Sequence, residues 1–225
     1  MSAIARNLAA VQARIAVAAQ RAGRAPSSVT LVAVSKLQPE SAIREAYAAG
    51  QRIFGENYAQ ELRDKAKGLA DLEGLQLHFI GALQKNKAKY VGPVAALFEA
   101  LYELDLAEEL SRKAQAAGRV LKVLVEVNLG EAQKGGVAPA ELDALLAALR
   151  PLAGLRVEGL MGIPPAAEEA EASRPHFRRL AALARERSLA TLSMGMSSDF
   201  EVAIEEGATL VRVGTAIFGA RPAKG

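Results

Sequence analysis

The chain alternates short apolar segments with longer segments in which apolar residues recur every three or four positions. The short segments are typical of buried strands, and the longer ones of amphipathic helices. The predicted strands are residues 30–35, 51–55, 76–81, 97–104, 121–129, 155–163, 190–196 and 210–214. The predicted helices are residues 40–49, 58–69, 106–117, 139–149, 168–188 and 198–206. Each strand is therefore followed by a helix or a short helical turn.

Strands that alternate with helices in this way predict βαβ units and a parallel sheet. Eight such units predict a single (β/α)8 TIM barrel, although 225 residues is below the roughly 250 typical of that fold. An open doubly wound sheet is the alternative, and it usually carries a glycine-rich loop after the first strand. Residues 35–39 contain no glycine, and no P-loop motif is present. We predict one domain over residues 1–225.

The first 39 residues contain no acidic side chain, as in some organellar transit peptides. They also contain one apolar helical stripe, and Pro26 ends the segment. We therefore predict a permanent extra helix within residues 1–25 that packs on the barrel. No apolar run reaches the length of a membrane span, and Arg14 interrupts any signal-peptide core, so a cytoplasmic location is expected. The stripe consists of Ile4, Leu8, Val11, Ile15, Val17 and Ala18.

Composition excludes several kinds of chemistry. The chain has no cysteine, which excludes disulfides, thiolate catalysis and thiolate metal sites. Its two histidines, His78 and His176, are too few to favour a zinc site. A net charge of +3 does not indicate nucleic-acid binding. We expect no metal, no nucleic acid and no membrane as partners.

Lys36 is the first candidate for chemistry, because barrel active sites lie at the carboxyl ends of the strands. It is the only one of ten lysines that directly follows a predicted strand. Burial lowers the pKa of an amine, and a neutral amine can attack an aldehyde to form a Schiff base. Alternatively, Lys36 caps the barrel mouth or pairs with Glu56; position alone weighs the two hypotheses evenly.

The segment around Ser197 is a candidate phosphate site. Ser198 and Glu201 have the spacing of a capping box, which predicts a helix that begins at Ser198 and favours a phosphate there. Gly214 and Thr215 add a closely approaching backbone and a hydroxyl on the neighbouring loop. Barrels often bind phosphate after strands seven and eight, although an ordinary helix cap is commoner.

Arg212 lies within the last predicted strand. Val211 and Val213 point one way, so Arg212 points the other and needs a partner inside the barrel. A ligand ring nitrogen would serve, and an internal ion pair with Glu56 or Glu158 is the alternative. An amine nucleophile, a phosphate cradle and an arginine near a ring nitrogen together predict a site for pyridoxal 5'-phosphate.

Other polar residues receive a weaker interpretation. His78 lies in an apolar strand and is predicted either to be a core histidine or to support a residue of the site from behind. Lys85, Lys87 and Lys89 lie near the predicted mouth, where a solvated helical face is expected. Lys134 lies in a loop and has no assigned role. Whether these four lysines form a secondary cofactor site is left open by the sequence.

Five motifs distributed along the chain form a recognisable set: Val-Ser-Lys at 34–36, Phe-Gly-Glu-Asn-Tyr at 54–58, His-Phe-Ile-Gly at 78–81, Ser-Met-Gly-Met-Ser at 193–197 and Val-Arg-Val-Gly-Thr-Ala-Ile-Phe-Gly at 211–219. Through them the chain resembles, nearly end to end, the pyridoxal phosphate homeostasis proteins, which are of the alanine racemase N-terminal-domain type. That family usually has threonine in place of Gly162, Ser-Val in place of residues 103–104, and a different residue at position 135. These differences concern the rim of the expected cofactor pocket.

The resemblance implies a fold type III barrel with Lys36 as the Schiff-base lysine and Arg212 facing the pyridine nitrogen. It implies phosphate contacts around Ser197, Gly214 and Thr215, and we add Asn57, at the end of strand two, to the cofactor-binding residues. The implied role is non-catalytic pyridoxal phosphate homeostasis, with effects on amino-acid and keto-acid metabolism. We expect a monomer that passes the cofactor to apo-enzymes.

Two enzymatic alternatives remain. An amino-acid racemase needs a second base, which related racemases take from a tyrosine in a further C-terminal domain. This sequence ends at Gly225, and none of its tyrosines (Tyr47, Tyr58, Tyr90 and Tyr102) is an obvious substitute. A Schiff-base aldolase or sugar-phosphate isomerase would share the lysine and the phosphate cradle. An arginine fits a ring nitrogen better than a sugar hydroxyl.

Overall fold

A computed structural model describes residues 2–130 and 135–219. Within them, eight parallel strands form a closed barrel in chain order, and the last strand pairs with the first. The predicted (β/α)8 barrel is therefore confirmed. Its strands are β1 Thr30–Val34, β2 Ile53–Glu56, β3 Gln76–Phe79, β4 Leu97–Leu101, β5 Leu121–Glu126, β6 Leu155–Met161, β7 Thr191–Ser193 and β8 Leu210–Val213.

Helices alternate with the strands and surround the barrel. Their predicted bounds differ from the observed ones mainly where a 3₁₀ turn precedes the α-helix, at Pro139–Glu141 and Ala170–Ser173. None of the described helices is both long and apolar enough to cross a membrane. They are α1 Ala3–Arg21, α2 Glu40–Ala48, α3 Ala59–Gly68, α4 Ala88–Val91, α5 Leu104–Ala116, α6 Leu142–Leu149, α7 Arg174–Glu186, α8 Phe200–Glu205 and α9 Thr215–Phe218.

The register of the strands determines which side chains face the barrel interior. Paired residues of neighbouring parallel strands point to the same side of the sheet. Val32 pairs with Arg212, so both share the face opposite to that of Ala33, which pairs with Phe54 and Val213. Arg212 thus lies inside the barrel, whereas Phe54 and Val213 are buried between strands and helices. The polar site and the outer apolar core occupy opposite faces of one sheet.

The extra N-terminal helix α1 packs against α8 and α9 at the other end of the chain. Its buried side chains include Leu8, Val11 and Ile15, as the apolar stripe predicts. Val17 does not belong to that stripe, because its side chain faces solvent with 47% exposure. The Asn7 amide donates a hydrogen bond to the Ile217 carbonyl oxygen at 3.0 Å. The helix therefore supports the segment that follows β8.

Candidate functional site

A cavity of about 170 Å³ lies at the carboxyl ends of the strands. All six residues predicted to bind a ligand line it, so the structure brings them together. Their contact with a ligand stays a prediction. The cavity is lined by Val34, Lys36, Asn57, Ile80, Ile163, Met196, Ser197, Arg212, Gly214 and Thr215.

A further cavity, of about 390 Å³, adjoins this one at the barrel mouth. It shares Asn57 with the central cavity and includes Lys87. Lys85 instead forms an exposed ion pair with Asp105 at 3.2 Å. Neither these lysines nor Lys89 line the central cavity. Lys134 lies outside the described residues.

A larger cavity, of about 490 Å³, lies at the opposite, amino-terminal end of the barrel. It is lined by residues such as Thr30, Gln76 and Lys122 and contains none of the six predicted site residues. Size alone would favour it. The smaller cavity is the better candidate because it lies at the carboxyl ends of the strands, where barrels of this kind carry their sites, and because all six predicted residues line it.

Arg212 is held in place by polar groups inside the barrel. Its Nη1 donates a hydrogen bond to Ser193 Oγ, and its Nη2 donates to the Gly162 carbonyl oxygen at 3.2 Å. The side chain is only 4% exposed, and the charge nearest to it belongs to Glu99, at 3.9 Å. Burial lowers the pKa of Arg212, although the charges of Glu99 and Glu126 oppose that shift. The guanidinium is therefore fixed on the cavity wall.

Glu99 is the residue that the sequence interpretation missed. Neither Glu56 nor Glu158, the proposed internal partners of Arg212, holds it: they pair with Lys65 and Arg156, respectively. Glu56 lies on the outer face of the sheet, which explains the error. A carboxylate in the middle of the apolar segment 97–101 was the available signal, because a buried charge needs a partner.

Glu99 links Arg212 to His78. Ser193 Oγ donates to Glu99 Oε2 at 2.5 Å, and His78 Nδ1 lies 2.7 Å from Glu99 Oε1. Burial alone would raise the pKa of Glu99, but the His78 hydrogen bond and the charges of His78 and Arg212 outweigh burial and lower it. Glu99 is thus an anion that compensates the buried arginine. His78 is buried and contacts Glu99, so it supports the site from behind, the second of its two predicted roles.

The predicted capping box is wrong. Helix α8 begins at Phe200 rather than at Ser198, and its N-cap residue is Asp199. The Asp199 carboxylate instead accepts from the Met196 backbone N–H at 2.7 Å, within the preceding turn. Glu201 does not reach back to the cap, because it pairs with Arg14 of α1 at 3.0 Å.

The two hydroxyls of the predicted phosphate cradle still meet. Thr215 Oγ1, at the start of α9 after β8, lies 3.4 Å from Ser197 Oγ in the turn after β7. Gly214 brings its backbone against β1, where an added Cβ would lie 3.2 Å from the Val34 carbonyl oxygen. The hydroxyls and a close backbone therefore remain available to an anion without the helix cap.

Asn57 offers a polar atom for which the structure provides no partner. Its Oδ1 is buried and accepts no hydrogen bond from the described residues. The loop after β3 packs directly on it, since a Cβ at Gly81 would lie 2.7 Å from the Asn57 carbonyl oxygen. A buried acceptor without a donor costs free energy, so a ligand that donates to Asn57 fits this wall.

A second group of charged side chains lies on the outer face of the sheet, against the backbone that flanks Lys36. Lys65 of α3 donates to Glu56 Oε1 at 2.8 Å and to Glu61 Oε1 at 2.6 Å. Lys65 is only 5% exposed, whereas a lysine on a helix is ordinarily solvated. Burial raises the pKa of Glu56 to about 7, against the opposing influence of Lys65 and Ser35. We call Lys65, Glu56 and Glu61 the buried ion cluster.

No tyrosine is among the described residues that line the central cavity. Tyr47 donates to the Glu73 carbonyl oxygen, and the Tyr90 ring contacts Arg63 outside the barrel. Tyr58 and Tyr102 follow β2 and β4, at the same end of the barrel as the cavity but outside its lining. Among the described residues, no tyrosine is therefore placed on the cavity wall beside Lys36.

The closed barrel and the convergence of its polar residues define a (β/α)8 protein with its site at the carboxyl ends of the strands. The chain belongs to the alanine racemase N-terminal domain family, whose sequence model matches residues 6–222. This agrees with the resemblance described above.

Curated relatives match over nearly the whole chain. The pyridoxal phosphate homeostasis protein of Pseudomonas aeruginosa is 50% identical, and the match covers 98% of this chain and 97% of that protein. The protein of the same name from Escherichia coli K12 is 46% identical over 98% of both.

Solved structures extend the comparison. PipY of Synechococcus elongatus, in a structure with PLP bound, superposes with a TM-score of 0.84 at 39% identity and covers 96% of this chain and 100% of that chain. Alanine racemase from Corynebacterium glutamicum, at 22% identity and a TM-score of 0.67, shares the fold. This chain covers 62% of that racemase.

The raised pKa of Glu56 predicts a pH-dependent stability. Its value rises from 4.5 to about 7 on folding, so folding favours the protonated carboxyl. That contribution is complete below pH 4.5 and disappears as the pH rises through 7. Glu56→Gln removes the titration. The unfolding free energy of wild type minus that of Glu56→Gln should fall by roughly 3 kcal/mol over this range.

Urea unfolding of both proteins between pH 4 and pH 8 measures that difference. Taking the difference cancels the exposed carboxylates, which the two proteins share. A difference that stays constant would show that folding leaves the pKa of Glu56 unchanged, and one that increases with pH would show that folding lowers it; either result contradicts the prediction.

Proposed function

We propose that this protein binds pyridoxal 5'-phosphate and holds it covalently on the Lys36 amine. The observation that carries the proposal is the single cavity that gathers the lysine, the arginine, two hydroxyls and an unsatisfied amide oxygen. The names of the relatives and the PLP-bound structure of PipY support it. When bound, the cofactor supplies an aldehyde, with which a lysine amine condenses as water leaves.

Different residues of the cavity are proposed to bind different parts of the cofactor. The Ser197 and Thr215 hydroxyls and the backbone at Gly214 are proposed to bind the phosphate. Asn57 would accept a hydrogen bond from the ligand and so satisfy its buried oxygen. Arg212 would face the ring nitrogen and supply a fixed positive charge there.

The position of Arg212 supports a holding role rather than catalysis. A guanidinium beside the ring nitrogen disfavours protonation of that nitrogen, and a neutral ring is a weaker electron sink. Glu99 keeps the guanidinium charged and in place. We therefore propose cofactor homeostasis as the function, with effects on amino-acid and keto-acid metabolism, and no robust catalysis.

The absorption spectrum tests the cofactor and its lysine. Wild type mixed with pyridoxal 5'-phosphate and then freed of unbound cofactor by gel filtration should keep a yellow band, and borohydride should fix the cofactor on Lys36. Treated in the same way, Lys36→Ala should be colourless, whereas the matched control Lys87→Ala, at the adjoining cavity, should stay yellow. If wild type stays colourless, the cofactor proposal fails and the aldolase or isomerase alternative becomes the better one.

A racemisation assay tests the non-catalytic role. The loaded protein incubated with L-alanine should form D-alanine no faster than free pyridoxal 5'-phosphate does, because no tyrosine lines the cavity. Lys36→Ala serves as the control for cofactor-independent background. Turnover that depends on Lys36 and exceeds the free-cofactor rate would instead make the protein a racemase.

We also propose that the protein is a cytoplasmic monomer that passes its cofactor to apo-enzymes. The cavity shares Asn57 with the adjoining cavity at the barrel mouth, and we propose that a bound cofactor leaves on that side. Loaded protein should activate a pyridoxal phosphate-dependent apo-enzyme faster than the same concentration of free cofactor does. Equal or slower activation would contradict transfer, and light scattering of the loaded protein checks the monomer.

A further inference from the structure

Both neighbours of Lys36 are tied to the buried ion cluster. The Ser35 carbonyl oxygen accepts from Lys65 Nζ at 2.7 Å, and the Ser35 hydroxyl donates to Glu56 Oε1 at 2.5 Å. On the other side, the Leu37 backbone N–H donates to Glu61 Oε1 at 2.7 Å. The chain is therefore held immediately before and immediately after Lys36.

Lys65 uses its full hydrogen-bonding capacity in this arrangement. An ammonium has three N–H donors, and Lys65 donates to Ser35, Glu56 and Glu61 at 2.6 to 2.8 Å. All three acceptors are buried or half-buried. Because such charge-assisted bonds are stronger in a buried site, the cluster resists rearrangement.

The backbone at Leu37 has a conformation that needs this support. Its φ of +63° lies in the left-handed region, which a leucine seldom adopts. The bond to Glu61 fixes the N–H of this residue, and the Gln38 N–H donates to the Ser35 carbonyl oxygen at 3.0 Å to close the turn. The turn redirects the chain directly after Lys36, away from the strand.

We infer that Lys65, Glu56 and Glu61 are positioning residues for the cofactor: they fix the backbone on both sides of Lys36 so that its amine stays on the cavity wall. None of the three lines the cavity, so they act through Lys36 and not by contact with the ligand. The inference rests on the proposed function. An amine held in place captures an aldehyde more readily than one on a mobile turn.

Lys65→Met tests the cation, because methionine keeps the apolar length of the side chain but not its charge. Lys67→Met, at an exposed position of the same helix, is the matched control. Titration with pyridoxal 5'-phosphate, followed by the yellow band, should give an apparent dissociation constant at least tenfold higher for Lys65→Met and unchanged for Lys67→Met. Peptide mapping after borohydride should still find the cofactor on Lys36.

A second pair of variants covers the case in which Lys65→Met does not fold. Glu61→Gln keeps an oxygen that can accept from the Leu37 N–H, whereas Glu61→Leu removes the acceptor. The dissociation constant should stay within threefold of wild type for Glu61→Gln and rise at least tenfold for Glu61→Leu. A purely structural role would lower the thermal stability of both variants without this split in cofactor affinity.

The outcomes separate the two proposals. If wild type shows no yellow band, the cofactor proposal fails and the inference fails with it. If wild type is yellow and Glu61→Leu and every folded Lys65 variant bind as tightly as wild type, the inference alone is overturned.

Discussion

The pairing of β8 with β1 is the constraint on which the site depends. It aligns Val32 with Arg212 and Ala33 with Val213, and so closes the barrel. Without it, Lys36 and Arg212 would lie at opposite edges of an open sheet. Closure also brings Gly214 against Val34, and both residues line the cavity. A site assembled in this way needs few residues from any one element, because the sheet supplies the geometry.

Buried charge occurs on both faces of this sheet, and each face compensates it separately. Inside the barrel, Glu99 lies between His78 and Arg212. Outside, Lys65 of helix α3 lies between the carboxyl groups of Glu56 and Glu61. Desolvation makes an unpaired charge costly, so removing one member of either group should cost more than the pair contributes. Both groups act on the same cavity: the inner group holds Arg212, and the outer group holds the residues on either side of Lys36.

Much of the fold could be predicted from the sequence, because apolar periodicity reports local structure directly. Strand ends were less certain: the apolar pattern of residues 97–104 continues past β4 into α5, so the pattern alone does not separate them. Lys36 and Arg212 could be found because each stands out within or beside an apolar strand. The partnership of Glu99 with Arg212 joins residues far apart in sequence, so only the closed barrel shows it. Lys65 looked like any other helical lysine, because its burial depends on how α3 packs.

The pairing of the first strand with the last also has a kinetic consequence. Contacts between residues separated by most of a chain form slowly, because the entropy of closing so long a loop must be lost first. On a ribosome, β8 emerges after the other seven strands, so the barrel stays open until β8 has been made. A chain synthesised only as far as β7 lacks Arg212 and therefore one wall of the cavity. The cavity that Lys36 and Arg212 line is thus complete only after β8 has paired with β1.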